Sequence, residues 1–336
     1  MILNTRYEGL VEEVEWRDEV PEGKLDLLVN VELRMISSAN YADVLLPAAH
    51  WYEKSDITVT DLHTFIHPFS AAHDPPWETK TDWDAFKLIA EKFSKLAEKH
   101  FPEPVKDLVI TPLMTDTPDE YAQPWGAIKD WKRGEADLIP GKTMPRIEVV
   151  ERDYAKTHDK YTRLGPRAQK DFGAKGITYD ITSIYEDMKS DHRIGEIDGC
   201  PSLERDEHVV EVILQVSPET SGESAHRAWK ALEPKVGRKL ADIVEGERDV
   251  VFHYEDLKSQ PRRVLTSPHW SGLEPAGRTY APWTVNIEKL VPFRTLSGRI
   301  DLYHDHAVYQ DLGEGFPVYK PPIDTTMTGE LDLDKV

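Results

Sequence analysis

The first informative hydrophobic run is the short segment Lys24-Leu25-Asp26-Leu27-Leu28-Val29-Asn30-Val31-Glu32, set off by Pro21-Glu22-Gly23. A short apolar run behind a turn signal predicts a buried strand of a parallel sheet. A second short run follows at Val44-Leu45-Leu46-Pro47. The polar stretch between them, residues 34–43, is where a βα-type loop would pass the carboxyl end of the first strand. Ligands of open α/β sheets bind at that edge. Periodicity then changes from strand to helix. Phe86, Ile89, Ala90, Phe93, Leu96 and Ala97 recur at three- and four-residue spacing behind Asp82, a candidate N-cap. Lys87, Glu91, Lys95 and Glu98 fall mostly on the other side, and Pro102 and Pro104 end the pattern.

Residues 101–180 are mixed and loop-rich. Thr117-Pro118-Asp119-Glu120 predicts a capped helix start, and Ile147-Glu148-Val149-Val150 a strand. Residues 163–176 are polar, basic and glycine-containing, which suits an exposed loop, and residues 183–190 suit a short helix. Residues 208–216 fit a strand or a buried helix equally well by periodicity. Residues 224–232 predict a helix with Ala225, Ala228, Trp229 and Leu232 on one face. Beyond residue 250 the chain is rich in Pro and Trp with short β-like runs, and no repeat is visible.

Composition narrows the function classes. The 336 residues carry 41 Lys+Arg against 61 Asp+Glu, a net charge of -20. Such a surface repels phosphate backbones, so nucleic acid is not an expected partner. The length allows two domains and a sizeable core. No run approaches ~18 consecutive apolar residues, the length of a membrane span, and the first residues lack the apolar core of a secretory signal. Cys200 is the single cysteine and reads as a small buried residue. Alone it cannot build a disulfide, a cysteine zinc site or an iron–sulfur cluster.

Three features carry candidate chemistry. His50, His63, His67 and His73 form a histidine-rich stretch. His63 and His67 stand at i and i+4, a metal-gripping spacing only on a helix. Thr64, Phe65, Ile66 and Pro68 favour extended chain instead, and no Glu follows the first His. His304-Asp305-His306 is weaker, because alternate strand residues face opposite ways. Acidic pairs such as Glu12-Glu13 and Asp332-Asp334 read as solvated surface. The third feature is the run from Leu25 to Lys54. Its strand ends in Glu32, an acid able to accept hydrogen bonds from a ribose or purine, and Lys54 is able to neutralise a phosphate.

Tyr41-Ala42-Asp43-Val44-Leu45-Leu46-Pro47 and Trp51-Tyr52-Glu53-Lys54 resemble the molybdopterin oxidoreductases of the DMSO reductase-like type. The resemblance narrows to the catalytic alpha subunits of respiratory nitrate reductases through four stretches. The Trp51 motif leads into Phe65-Ile66-His67-Pro68-Phe69-Ser70-Ala71-Ala72. Asp130-Trp131-Lys132-Arg133-Gly134-Glu135-Ala136-Asp137-Leu138-Ile139-Pro140-Gly141-Lys142-Thr143 follows. Ser267-Pro268-His269-Trp270-Ser271-Gly272-Leu273-Glu274 and Arg294-Thr295-Leu296-Ser297-Gly298-Arg299 complete the set, with Pro321-Pro322-Ile323-Asp324-Thr325 alongside. The order is collinear over about residues 10–325, and residues 155–210 match least.

The resemblance implies an α/β fold, with a Rossmann-like part of the guanine-dinucleotide-binding domain over residues 1–110. A less regular α+β segment with a subunit-packing role is expected over residues 111–336, before a C-terminal β-rich domain. It implies a Mo-bis(molybdopterin guanine dinucleotide) cofactor. The family's [4Fe-4S] cluster and molybdenum ligands lie in a part not represented here, so the chain is expected to be an internal fragment with no catalytic or metal-ligating residues of its own. By resemblance to periplasmic nitrate reductases, the cofactor contacts fall at Val31, Glu32, Lys54 and Asp82. Glu32 stands where those relatives carry Asp, which shifts the carboxylate by one methylene. The implied reaction is reduction of nitrate to nitrite. The implied partners are an iron–sulfur beta subunit and a haem-bearing membrane subunit, which would make this chain peripheral to the membrane. Related substrates are chlorate, perchlorate, selenate and dimethyl sulfide. Rivals of other classes are an acidic binding or assembly protein on the same scaffold, and a zinc hydrolase using His63 and His67.

Overall fold

The computed structural model describes residues 27–60, 63–111, 146–174 and 177–265, with isolated residues between 286 and 316. The helix start expected at Thr117, the His304-Asp305-His306 group and most of the β-like runs beyond 250 lie outside the described residues.

The described residues begin with two parallel strands, β1 (Val29–Glu32) and β2 (Val44–Pro47), in register from Val29 opposite Val44 to Glu32 opposite Pro47. A 3₁₀ turn at Ser37–Tyr41 lies in the crossover between them. Parallel pairing forces such a crossover, which a tight hairpin cannot provide. The expectation of a buried first strand is not met among the described residues, where Leu27 and Val29 are 58% and 42% exposed. Within the described residues β1 has β2 as its one hydrogen-bonded neighbour, too little to cover either face.

β3 (Asp56–Thr60) and β4 (His63–Phe69) form an antiparallel pair, which places His63 and His67 on a strand. Four residues of strand span ~13 Å, beyond the reach of two ligands on one zinc ion, so the helical grip needed by the zinc-hydrolase reading is overturned.

Helix α1 (Asp82–His100) begins one residue earlier than the sequence suggests, because Thr81 is the N-cap and its side chain accepts the Asp84 N–H at 3.1 Å. Asp82 and Asp84 then lie in the first turn and Lys99 and His100 in the last, favourable at the two ends of the helix dipole. The packed face overlaps the expected one at Ala90 and Ala97 but is shifted away from its large side chains. Ala85, Ala90, Ser94 and Ala97 are buried, while Phe86, Ile89, Phe93 and Leu96 are exposed. Small side chains allow close approach of residues 154–161, where the His158 N–H reaches Ser94 Oγ at 2.9 Å.

β5 (Val105–Thr111) pairs antiparallel with β6 (Arg146–Arg152), as expected for the strand at Ile147. After α2 (Thr157–Tyr161), residues 163–174 of the expected loop 163–176 hold regular structure. They hold a 3₁₀ turn at Pro166–Gln169 and β7 (Phe172–Ala174), which pairs with β8 (Ile177–Tyr179). α3 (Thr182–Ser190), β9 (Glu196–Ile197) and β10 (Cys200–Pro201) follow, and Cys200 is buried as expected. The ambiguous stretch is a helix, α4 (Asp206–Val216). Val212 and Val216 enter one core with Tyr185 and Met188, whereas Val210 and Leu214 enter another with Ile66, Tyr254 and Leu257. Its apolar residues are thus divided between two cores, which is why helix and strand periods are hard to separate in its sequence.

α5 (Gly222–Val236) fulfils the helix expected over 224–232 and closes on Gly237 in the left-handed region at φ 66°. Its Ala225 joins a third core with Ile243, Val244 and Leu265. α6 (Tyr254–Ser259) and β11 (Arg262–Arg263) follow, and β11 adds to the β3–β4 pair through β4. The described stretches 63–111 and 177–265 are thus joined by backbone hydrogen bonds, by the core around Ile66, and by a bond from the Tyr254 hydroxyl to the Phe69 carbonyl.

Candidate functional site

The carboxyl edge of the parallel pair gathers the expected site residues. Glu32 and Pro47 end β1 and β2 side by side. Backbone pairing continues from that edge, with the Ala48 N–H donating to Glu32 O at 3.2 Å and the Ala49 N–H to Lys80 O at 2.7 Å. Lys80 bridges Ala48 in parallel and leads through Thr81 into α1. This pairing places the N-terminus of α1 beside the end of β2, and Asp82 with it.

Lys54 arrives by another route. His50, Trp51, Tyr52 and Glu53 form a tight turn in which Glu53 Oε2 accepts the His50 N–H at 2.8 Å. Trp51 stacks on Phe69 at 6.1 Å, and the Ala72 N–H donates to Tyr52 O at 2.7 Å. The Lys54 ammonium lies 2.6 Å from Asp82 Oδ2 and 3.8 Å from Asp56 Oδ2. Its side chain is only 14% exposed, against 52% for Asp82.

Lys54 and Asp82 are therefore an ion pair, and Glu32 ends the strand at the same edge. Val31 sits one residue back, half-buried, opposite Leu46. Glu32 Oε1 accepts the Leu33 N–H at 2.8 Å, leaving its second oxygen with further acceptor capacity. An ammonium has three donors, so Lys54 can hold Asp82 and still meet an anion.

Sequence reading missed the support behind this edge. Asp206 Oδ2 accepts the Ser55 N–H at 3.1 Å across 151 positions, and the Trp83 indole N–H donates to Leu203 O at 2.7 Å. Burial, and then the neighbouring Glu207 carboxylate, push Asp206 up to about 6. No local pattern signals such a partnership. Among the described residues no group of three or more His, Cys, Asp or Glu side chains is placed to hold a metal ion.

Two family models match the chain. Residues 9–92 match the model described as Molybdopterin oxidoreductase, and residues 170–288 match that described as Nitrate reductase alpha chain, domain V. The nitrate reductase alpha chain of Bacillus subtilis strain 168 is 47% identical over 317 residues, which is 92% of this chain and 26% of that protein. The respiratory nitrate reductase 1 alpha chain of Escherichia coli K12 is 44% identical over 324 residues, 95% of this chain and 26% of that protein. The perchlorate reductase subunit alpha of Dechloromonas aromatica is 47% identical over 76 residues, 23% of this chain and 8% of that protein.

Residues 9–92 are thus similar to the molybdopterin oxidoreductases. The chain is similar over nearly its whole length to nitrate reductase alpha chains, and it spans about a quarter of the length of those curated relatives.

Proposed function

We propose that this chain is part of the catalytic subunit of a respiratory nitrate reductase, and that it grips one guanine-dinucleotide arm of a Mo-bis(molybdopterin guanine dinucleotide) cofactor. The observation that carries the site is the convergence of Glu32, Lys54 and Asp82 at the carboxyl edge of a parallel strand pair. Its donor set suits the group. A guanine edge presents N–H donors that carboxylates accept, and a pyrophosphate suits the Lys54 ammonium. The start of α1 adds the positive end of a helix dipole. The parallel pair and the α1 that follows support a Rossmann-like reading of this portion.

When bound, the cofactor supplies the two-electron chemistry that takes nitrate to nitrite. The residues here bind and orient it. Glu32 and Asp82 accept from the base, Lys54 offsets phosphate charge, and Val31 keeps the strand end in register. Iron–sulfur centres, a beta subunit and a haem-bearing membrane subunit belong to the same reading, as does peripheral attachment to a membrane through those partners. Among the described residues no helix is long and apolar enough to cross a membrane.

The test is the full-length gene product, measured for molybdenum and for nitrate-dependent oxidation of reduced methyl viologen. Stoichiometric molybdenum with nitrate turnover is the expected result. Molybdenum without nitrate turnover refutes the substrate. The similarity of 76 residues to a perchlorate reductase subunit alpha favours perchlorate as the second substrate to assay. Chlorate, selenate and dimethyl sulfide complete the panel.

A further inference from the structure

Three hydrogen bonds reach the ion-paired edge from residues 203–206. The Trp83 indole N–H donates to the Leu203 carbonyl at 2.7 Å, the Lys87 ammonium to the Glu204 carbonyl at 2.8 Å, and the Ser55 N–H to Asp206 Oδ2 at 3.1 Å. Two of the gripped groups adjoin the ion pair directly, since Ser55 follows Lys54 and Trp83 follows Asp82. The third, Lys87, lies farther along α1 and also pairs with Asp84 at 2.7 Å. The gripping segment is itself held firmly. The Leu203 N–H donates to Thr162 O at 2.7 Å, and Ser202 Oγ accepts the Glu204 N–H at 3.2 Å while bonding His208 Nδ1 at 2.9 Å. Asp206 is fixed at its other oxygen, where Oδ1 accepts the Glu207 N–H at 3.0 Å. Trp83 is clamped against Tyr161, with ring centroids 4.4 Å apart.

We infer that residues 203–206 form a strut that sets the positions of Lys54 and Asp82, with Asp206 as its positioning residue. The inference rests on the cofactor-site reading above. Geometry separates the strut from ordinary packing. Each member of the ion pair is followed by a residue whose polar group is bound by the same short segment. The strut comes from the stretch matching the domain V model, whereas the pair lies in the stretch matching the molybdopterin oxidoreductase model. Rigid support of this kind reduces the ordering cost when a ligand binds.

The test follows molybdenum loss from the purified full-length gene product over time, by elemental analysis after gel filtration. Asp206→Ala is expected to speed that loss about 10-fold, the scale of one hydrogen bond to a charged acceptor. Asp206→Asn keeps an oxygen for the Ser55 N–H and is expected to restore most of the retention. The Lys54→Ala/Asp206→Ala double variant is expected to lose molybdenum no faster than Lys54→Ala alone. Additive loss in the double variant, or no rescue by Asn, overturns the strut. Rapid loss in Lys54→Ala beside normal retention in Asp206→Ala overturns the strut alone. Normal retention in Lys54→Ala overturns the site reading and the strut together. Should Asp206→Ala not fold, Trp83→Phe keeps the stack on Tyr161 but deletes the N–H to Leu203. Accelerated loss there supports the strut, and unchanged loss overturns it.

Discussion

Ile66→Ala should loosen three distant segments at once. Ile66 lies in the middle of β4 and is 2% exposed. Its cluster contains Val210 and Leu214 of α4, Tyr254 and Leu257 of α6, and Val264 just past β11. Truncation to Ala removes three carbons, ~2.4 kcal/mol at ~0.8 kcal/mol per buried methylene. A void of about 60 Å³ adds roughly 1.4 kcal/mol at ~24 cal/mol per Å³. The sum, ~4 kcal/mol, lies within the usual range for buried Ile-to-Ala changes. Hydrogen exchange read by mass spectrometry on the full-length gene product avoids assuming two-state unfolding of a large protein. Where exchange requires these segments to open together, ~4 kcal/mol corresponds to about a 1000-fold faster rate. Ile66→Val, which loses one methyl, should cost ~0.5–1.5 kcal/mol and change exchange about 10-fold or less. The reasoning fails if β4 alone loses protection while α4 and α6 keep theirs, because the shared core would then not couple them.

Three further outcomes follow from the same packing. Asp206 holds its proton up to about pH 6, mainly through burial, against an ordinary value of 3.8. The folded chain therefore binds more protons than the unfolded chain between those values, and stability falls as pH rises through that window, with the full cost present above pH 6. Discounting the shift by about half for solvent screening leaves ~1–2 kcal/mol. Asp206→Asn should flatten that part of the melting-temperature curve, and an unchanged slope in a thermal-shift series from pH 4 to 7 counts against it. Gly222→Ala should cost ~3 kcal/mol or prevent folding, since its Cβ would lie 1.9 Å from the Glu247 carbonyl oxygen and 2.8 Å from Arg248 Cα. A wild-type melting temperature in that variant would contradict the contact. Thr81→Ala should cost ~1 kcal/mol through loss of the N-cap and speed exchange in the first turn of α1. Equal exchange there would show that the cap contributes nothing.

Much of the proposed site was legible locally, for reasons particular to each residue. Glu32 ends an apolar run and Lys54 follows an aromatic turn, so a strand-end acid and a loop cation could be read from order alone. Asp82 announced a helix start, although the capping oxygen belongs to Thr81. On α1, hydrophobicity points to Phe86 and Phe93, whereas close approach of a neighbour buries the small Ala85 and Ser94 together with the expected Ala90 and Ala97. Residues 208–216 fit strand and helix alike in the sequence because the apolar residues of α4 serve two cores and leave few polar positions, Glu211 and Gln215 among them, to mark a polar face.

The sequence by itself determined the family resemblance, the parallel strand pair, the long helix and the identity of the edge residues, because these depend on short-range order and on motifs a few residues long. Tertiary structure alone decided that Lys54 is ion-paired with Asp82, and that Asp206 supports Ser55 across 151 positions. The reason is physical. A hydrogen bond between segments far apart in the chain leaves no periodicity in either of them, and it forms when the cores around Ile66 and Tyr185 close on the two sides of α4.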